Sequence, residues 1–179
     1  AYSLSVEKGC VMHSGKYRPD EDSMADDYEY ASDFLRNRGY DRYEISNFAK
    51  NGMISRHNTK YWTGADYAGF GPAAHSFYKG YRYANTDNIA AYLDGKNTVS
   101  REFIDKTQQR EEFIMLRLRL KDGINLSEYN NLFGVELTTE KKPEVEKLLN
   151  VGVIDIKNNR LFATDKGVYV LNRIITELI

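Results

Sequence analysis

Hydrophobic and polar residues alternate with a period of two over residues 1–7, which predicts a β-strand. Apolar residues then recur at helical spacing from Pro19-Asp20 up to Gly39, so a helix is expected there, with acidic residues in its first turn. Residues 42–46 are strand-like again. The order strand, helix, strand predicts a βαβ unit with a parallel strand pair.

The pattern becomes irregular and glycine-rich over residues 47–85, with short strand candidates near 67–70 and 78–83. This segment carries nine aromatic residues, and five basic residues against one acidic residue. A connection of this length without regular structure is typical of a functional loop, and its charge favours an anionic ligand. A short helix at 87–93 and a linker at 95–100 are expected to follow.

After residue 100 the spacing predicts three helices, a β-hairpin and a last helix. These elements are expected at 106–121, 126–133, 140–150, 153–156 with 161–164, and 165–178. Gly134 would cap the second helix, and Asn158-Asn159 would form the two-residue turn of the hairpin. This order is typical of a winged-helix-like module.

The predicted fold class is therefore α/β (α+β) with two domains, one over residues 1–95 and one over residues 100–179. The 179 residues are 41% hydrophobic and 28% charged, with a net charge of −1. No apolar stretch is long enough for a transmembrane segment. Thirteen basic and thirteen acidic residues follow position 99, so the winged-helix-like part lacks the basic surface that nucleic acid requires.

A single cysteine, Cys10, excludes an internal disulfide framework and an iron–sulfur cluster held by several cysteines of this chain. It fits a reducing compartment, and with no signal-peptide pattern at the start we expect a cytoplasmic protein. The chain begins with Ala1 in place of Met, which suggests that it is part of a longer protein.

The strongest candidate site is the hexapeptide His57-Asn58-Thr59-Lys60-Tyr61-Trp62, preceded by Arg56. Imidazole binds borderline metals near neutral pH, and large aromatic rings offer flat apolar surface to a planar ligand. Basic side chains can pair with carboxylates of such a ligand. The residues alone leave two readings open, a site for a planar, metal-bearing group with His57 as its ligand, and an ordinary histidine in an aromatic core.

Other candidates are weaker. Gly69 and Gly71, within Gly69-Phe70-Gly71-Pro72, could let the backbone approach a ligand closely, although a tight turn is the simpler reading. The remaining residues with suitable chemistry, each more easily explained by a structural role or supported only weakly, are Glu7, Cys10, Glu44, Met53 and His75.

Several segments together resemble one family. They are Tyr43-Glu44-Ile45-Ser46-Asn47-Phe48-Ala49, Ser55-Arg56-His57-Asn58, Lys60-Tyr61-Trp62 and Gly69-Phe70-Gly71-Pro72-Ala73-Ala74-His75-Ser76. This pattern resembles radical SAM proteins related to oxygen-independent coproporphyrinogen III oxidase, and His-Asn-x-x-Tyr-Trp resembles their heme-chaperone branch. The resemblance runs along essentially the whole chain.

The resemblance implies that the chain is the C-terminal part of a partial (β/α) barrel followed by a small helical domain. A three-cysteine motif that binds a [4Fe-4S] cluster and S-adenosylmethionine would lie in the rest of the parent protein, so this chain alone should be inactive as an enzyme. His57 would bind heme iron, with Asn58, Tyr61 and Trp62 completing the motif. Heme would then pass to an acceptor protein.

Two other functions remain open, one suggested by the same fold and the basic segment 47–85, the other by the winged-helix-like part at 100–179. One is part of a coproporphyrinogen III dehydrogenase, which oxidatively decarboxylates propionates in porphyrin biosynthesis. The other is a non-catalytic protein-interaction module. Two positions depart from the family pattern, Asn51, where relatives often have proline, and Ala73, where they often have glycine.

Overall fold

The computed structural model describes residues 1–2, 4–14 and 20–179. The chain folds into two compact units, Ala1–Ser55 and Arg56–Ile179. The residues between 56 and 95 therefore pack in the same unit as the C-terminal helices, whereas we expected the division of the chain at 95–100. No helix in the described ranges combines the length and the apolar character that crossing a bilayer requires.

The first unit contains α1 (Val11–Ser14), α2 (Glu21–Arg36), β1 (Tyr40–Arg42) and β2 (Phe48–Lys50). The helix predicted after Pro19-Asp20 is confirmed as α2, although Pro19 itself lies outside the described residues. The Asp20 carboxylate accepts a hydrogen bond from the Ser23 amide at 2.9 Å and caps the helix. This bond and one from the Ser23 hydroxyl lower the pKa of Asp20.

The strands of the predicted βαβ unit differ from expectation in the described residues, and Ser3 lies outside these. The described residues of 1–7 form no strand, and residues 43–47 connect β1 to β2, which pair antiparallel. Two hydrogen bonds join residues 1 and 2 to this connection, one from the Ala1 ammonium to the Ser46 carbonyl and one from the Asn47 side-chain amide to the Tyr2 hydroxyl. Hydrophobic and polar residues do alternate over residues 1–7, but a strand also needs backbone hydrogen bonds to a neighbouring strand. The described residues do not supply such a ladder.

The second unit contains two three-stranded sheets and eight helices among its described residues, 56–179. In order these are α3 (Arg56–Trp62), β3 (His75–Tyr78), β4 (Tyr81–Asn85), α4 (Ile89–Leu93), β5 (Thr98–Phe103), α5 (Lys106–Arg117), β6 (Ile124–Asn125), α6 (Leu126–Phe133), α7 (Leu137–Glu140), α8 (Lys142–Asn150), β7 (Ile154–Lys157), β8 (Arg160–Ala163), α9 (Asp165–Val168) and α10 (Leu171–Leu178). The strand orders are β3-β4-β5 and β6-β8-β7, and all pairs are antiparallel.

The expected winged-helix-like order is confirmed from α5 onward, and the mixed helix and strand class is confirmed as well. α6 has the predicted bounds, and Gly134 caps it with φ of 72°. Asn158 and Asn159 both have positive φ, as a type I′ hairpin turn requires. The core holds the apolar stripes of these elements, among them Ile114, Tyr129 and Leu178, each at most 2% exposed.

Three boundaries differ from expectation. The linker at 95–100 is wrong because its second half forms β5, whose Arg101 pairs with Tyr83 of β4. The last helix is two helices, since a turn closed by the Val170 amide and the Gly167 carbonyl at 3.1 Å redirects the chain. In the supposedly irregular segment the strand candidate at 67–70 is reduced to one bridge, Tyr67 to Phe77.

Candidate functional site

The candidate hexapeptide lies on helix α3, where we expected a loop. Residues four apart on a helix share a face, so His57 and Tyr61 meet. A hydrogen bond of 3.1 Å joins the Tyr61 hydroxyl to His57 Nε2, and the two rings are perpendicular with centroids 5.2 Å apart. Both side chains are exposed to solvent. The helix therefore presents an accessible imidazole whose Nε2 is held by a phenol.

A third ring extends this pair. The Tyr61 ring packs edge-on against Tyr67, with 4.8 Å between centroids. Tyr67 is fixed by two backbone hydrogen bonds to Phe77, of 2.7 and 3.0 Å. His57, Tyr61 and Tyr67 thus form a continuous aromatic row. Tyr67 was not singled out from the sequence, although the aromatic content of residues 47–85 was a signal for it.

Positive charge accompanies this row. Arg56 and Lys60 are also four residues apart, directly before His57 and Tyr61 respectively, and both are exposed. One residue corresponds to about 100° around a helix, so the cationic column lies beside the aromatic one. Two exposed cations therefore lie on the face of the helix that adjoins the one with His57.

Trp62 ends the helix and is anchored by its backbone. Its carbonyl accepts a 3.4 Å hydrogen bond from Arg117 of α5. Arg117 also pairs with Glu128 at 2.6 Å and stacks over Phe113, 4.8 Å from the ring centroid. The Arg117 side chain is 12% exposed, so this contact is well shielded from water. Arg117 escaped sequence reasoning because it belongs to another element, 55 residues away.

Tyr61 and Trp62 line one side of a cavity of about 500 Å³ in the second unit. Aromatic and aliphatic side chains dominate the rest of its wall, including Tyr67, Phe77 and Phe113. This volume is in the range of small-molecule and cofactor pockets. His57 is not part of the wall, so the structure brings only the last two residues of the hexapeptide, Tyr61 and Trp62, to the cavity.

An ion pair also borders this cavity. Arg82 donates to Glu112 at 2.7 Å, and this hydrogen bond raises the pKa of Arg82. The pair joins β4 to α5, and both elements contribute to the wall. Because both charges are already matched, this pair is better suited to holding the wall together than to attracting a ligand.

Gly69 and Gly71 have contacts that shape a turn. A Cβ on Gly69 would lie 2.2 Å from the His75 carbonyl oxygen, and the Gly69 amide donates to the Ser76 hydroxyl at 2.9 Å. The Gly71 amide donates to the Tyr92 hydroxyl at 3.1 Å. Neither glycine contributes to the cavity wall, and these bonds are what the simpler reading, a tight turn, requires.

The weaker candidate residues differ in burial and in hydrogen bonding. Glu44 is fully buried and accepts hydrogen bonds from the Ser46 amide at 3.2 Å and from the Asn47 side chain. Glu7 accepts one from the Ser5 hydroxyl at 3.0 Å. The others, all exposed, are Cys10, Met53 and His75.

The sequence suggests two prosthetic groups, heme and a [4Fe-4S] cluster, and the described side chains of this chain fit only heme. Within the described ranges no three His, Cys, Asp or Glu side chains come together as a metal centre, and Cys10 is one exposed thiol. This donor set does not fit a [4Fe-4S] cluster. An exposed imidazole beside edge-on aromatic rings and cations does fit heme, because imidazole is a common axial ligand of heme iron and the macrocycle favours flat apolar contacts.

The fold and the sequence point to the same class of protein. Residues 104–170 match the model of the HemN C-terminal domain. A solved structure of coproporphyrinogen III oxidase (HemN) from Escherichia coli, a radical SAM enzyme, superposes with a TM-score of 0.68 over 89% of this chain and 42% of that protein, at 14% identity. Residues 104–170 thus match the HemN C-terminal domain, and the chain shares the fold of part of a HemN structure, as the resemblance led us to expect.

Several curated proteins are similar along nearly the whole chain. Heme chaperone HemW of Lactococcus lactis is 32% identical over 99% of this chain and 49% of its own length. HemW of Bacillus subtilis is 31% identical over 97% and 48%. The mitochondrial radical S-adenosyl methionine domain-containing protein 1 of Danio rerio is 27% identical over 99% and 45%. The chain thus spans about half the length of the curated relatives that it matches.

Proposed function

We propose that this chain is the C-terminal part of a radical SAM heme chaperone and that it contributes His57 as a ligand of heme iron. The observation that carries this proposal is the accessible imidazole of His57 on the same helix face as Tyr61. Two HemW proteins with similarity over nearly the whole chain support the choice of heme.

The surroundings of His57 suit a planar anionic ligand. The row of Tyr61 and Tyr67 offers apolar ring surface to the macrocycle. Arg56 and Lys60 are available to pair with its two propionates, and such exposed pairs orient a ligand more than they hold it. A chaperone must also release its cargo, and an exposed site with weak ion pairs favours release.

The iron–sulfur and S-adenosylmethionine chemistry belongs, in this proposal, to the rest of the parent protein. A cluster supplies electrons for reductive cleavage of S-adenosylmethionine, and the described residues of this chain provide no ligand set for it. Within this chain the side chains bind and orient heme for an acceptor protein. The exposed thiol of Cys10 supports a reducing, cytoplasmic location.

A hemin titration followed by Soret absorbance tests the assignment, using the intact protein that contains these residues. The chain has three histidines, His13, His57 and His75, so each can be replaced by alanine as a matched set. We expect a saturable one-to-one shift for the parent, which His57→Ala loses and which the other two variants retain. Equal binding by His57→Ala would contradict the ligand assignment.

The same variants separate a chaperone from an oxidase. With the complete protein, reductant, S-adenosylmethionine and coproporphyrinogen III, the proposal expects no decarboxylated product. Steady product formation that is independent of His57 would favour the coproporphyrinogen dehydrogenase reading instead. Partner binding that residues 100–179 retain without heme would favour an interaction module.

A further inference from the structure

The hydrogen bond between Tyr61 and His57 occupies the ring nitrogen that projects furthest from the helix backbone. The distance from the Tyr61 oxygen to His57 Nε2 is 3.1 Å. A metal ion binds an imidazole nitrogen at about 2 Å. An ion on the lone pair that the phenol uses would overlap the phenol oxygen, so the two cannot share Nε2.

We propose that Tyr61 is a positioning residue that caps Nε2 of heme-free His57 and must turn away before iron binds there. This proposal rests on the proposed function of His57 as the heme ligand. The direction of the hydrogen bond does not matter, because Nε2 gives up its contact with the phenol whether it accepts or donates a proton in the heme-free state.

The contacts of Tyr61 allow this change. Its side chain is 39% exposed, so a displaced hydroxyl finds water as a new partner. Its ring rests on Tyr67, which is fixed in the backbone by Phe77 and provides a surface along which the ring can turn. Tyr61 also lines the cavity, which leaves free volume on one side of the ring.

Capping lowers the affinity of heme by the free energy of the bond that is lost, and it stabilises the protein after heme has left. A net intramolecular hydrogen bond corresponds to about a two- to tenfold change in an equilibrium constant. Tyr61→Phe retains the ring and removes only the hydroxyl. We therefore expect it to bind hemin about two- to tenfold more tightly than the parent protein.

The test compares hemin dissociation constants of the intact protein, Tyr61→Phe and a control, Tyr78→Phe. Tyr78 ends strand β3, is 47% exposed and has the Lys79 ammonium over its ring, so its variant should match the parent. Metal-free protoporphyrin IX is the second probe. Because it brings no iron to Nε2, Tyr61→Phe should bind it no more tightly than the parent does.

A measurement without heme completes the test. In ¹⁵N NMR spectra of histidine-labelled protein, Tyr61→Phe should move the His57 Nε2 resonance, and Tyr78→Phe should leave it in place. The proposal is overturned if this resonance does not move, or if Tyr61→Phe binds hemin as the parent does or more weakly, as coordination through Nδ1 would require. Retention of heme by His57→Ala would instead refute the proposed function, so the two failures are distinguishable.

Discussion

Ala73 occupies a backbone conformation that favours glycine, and its replacement provides a quantitative test of the turn beside the candidate site. Its φ is 60°, in the left-handed region. The conformation is held by a 2.8 Å hydrogen bond from its amide to the carbonyl of the buried Thr86. The resemblance noted from the sequence led us to expect glycine at this position, and the positive φ is the conformation that glycine favours.

The expected gain follows from two opposing terms. A non-glycine residue in the left-handed region costs about 1–2 kcal/mol. Replacement by glycine removes this cost, but it also stabilises the unfolded state by about 0.4–1 kcal/mol because glycine has more conformational entropy there. From the midpoints of the two terms, Ala73→Gly should therefore raise the free energy of unfolding by about 0.8 kcal/mol, which corresponds to about 2–3 °C in Tm for a chain of this size.

Urea and thermal unfolding monitored by circular dichroism measure this difference. The control is Ala74→Gly at the next residue, which has no positive φ and should lose about 0.5–1 kcal/mol as an ordinary alanine-to-glycine replacement does. If Ala73→Gly is no more stable than the parent, or if both variants lose stability equally, the left-handed conformation of Ala73 is refuted.

Two further predictions concern close packing and pH. Gly69→Ala would bring a Cβ to 2.2 Å from the His75 carbonyl oxygen, so it should cost about 1–3 kcal/mol in unfolding free energy, and an unchanged urea midpoint would contradict this. Burial, with the charge of Glu140, raises the pKa of Tyr129 to about 12 from its ordinary 10. Between pH 10 and pH 12 the Tyr129 hydroxyl thus keeps its proton in the folded state and loses it in the unfolded state. Roughly 2–3 kcal/mol of unfolding free energy that is present below pH 10 should therefore disappear as the pH rises towards 12. Tyr129→Phe should flatten this alkaline slope, and an equal slope in the variant would show that another group causes it.

The C-terminal elements were predictable because their signals are local and agree with each other. α6 combines a helical stripe with Asn125 at its start and Gly134 at its end, and both caps form. The β7-β8 hairpin has Asn158 and Asn159 at the two positions that need positive φ. Asn51-Gly52 gives a similar signal. These two residues form a turn that is closed by a 3.1 Å hydrogen bond from the Met53 amide to the Lys50 carbonyl. Asn51 has a φ of 55° in this turn, which proline could not adopt.

The errors arose where distant partners decide the structure. Residues 1–7 alternate like a strand, but the described ones among them, 1–2 and 4–7, form no ladder with a neighbouring strand. Residues 98–100 seemed a polar linker because strand β5 is exposed along its whole length, and only its pairing with β4 makes it a strand. The chemistry of α3 was visible in sequence, whereas its helical geometry, the Tyr67 ring and the Arg117 anchor were not.

Direct observation of the iron–histidine bond tests the central claim. Resonance Raman spectra of the reduced heme complex of the intact protein should show an iron–histidine stretching band that shifts when histidine is labelled with ¹⁵N. We predict that His13→Ala and His75→Ala retain this band and that His57→Ala loses it. A band that persists in His57→Ala with the same isotope shift would contradict the assignment of His57 as the heme ligand.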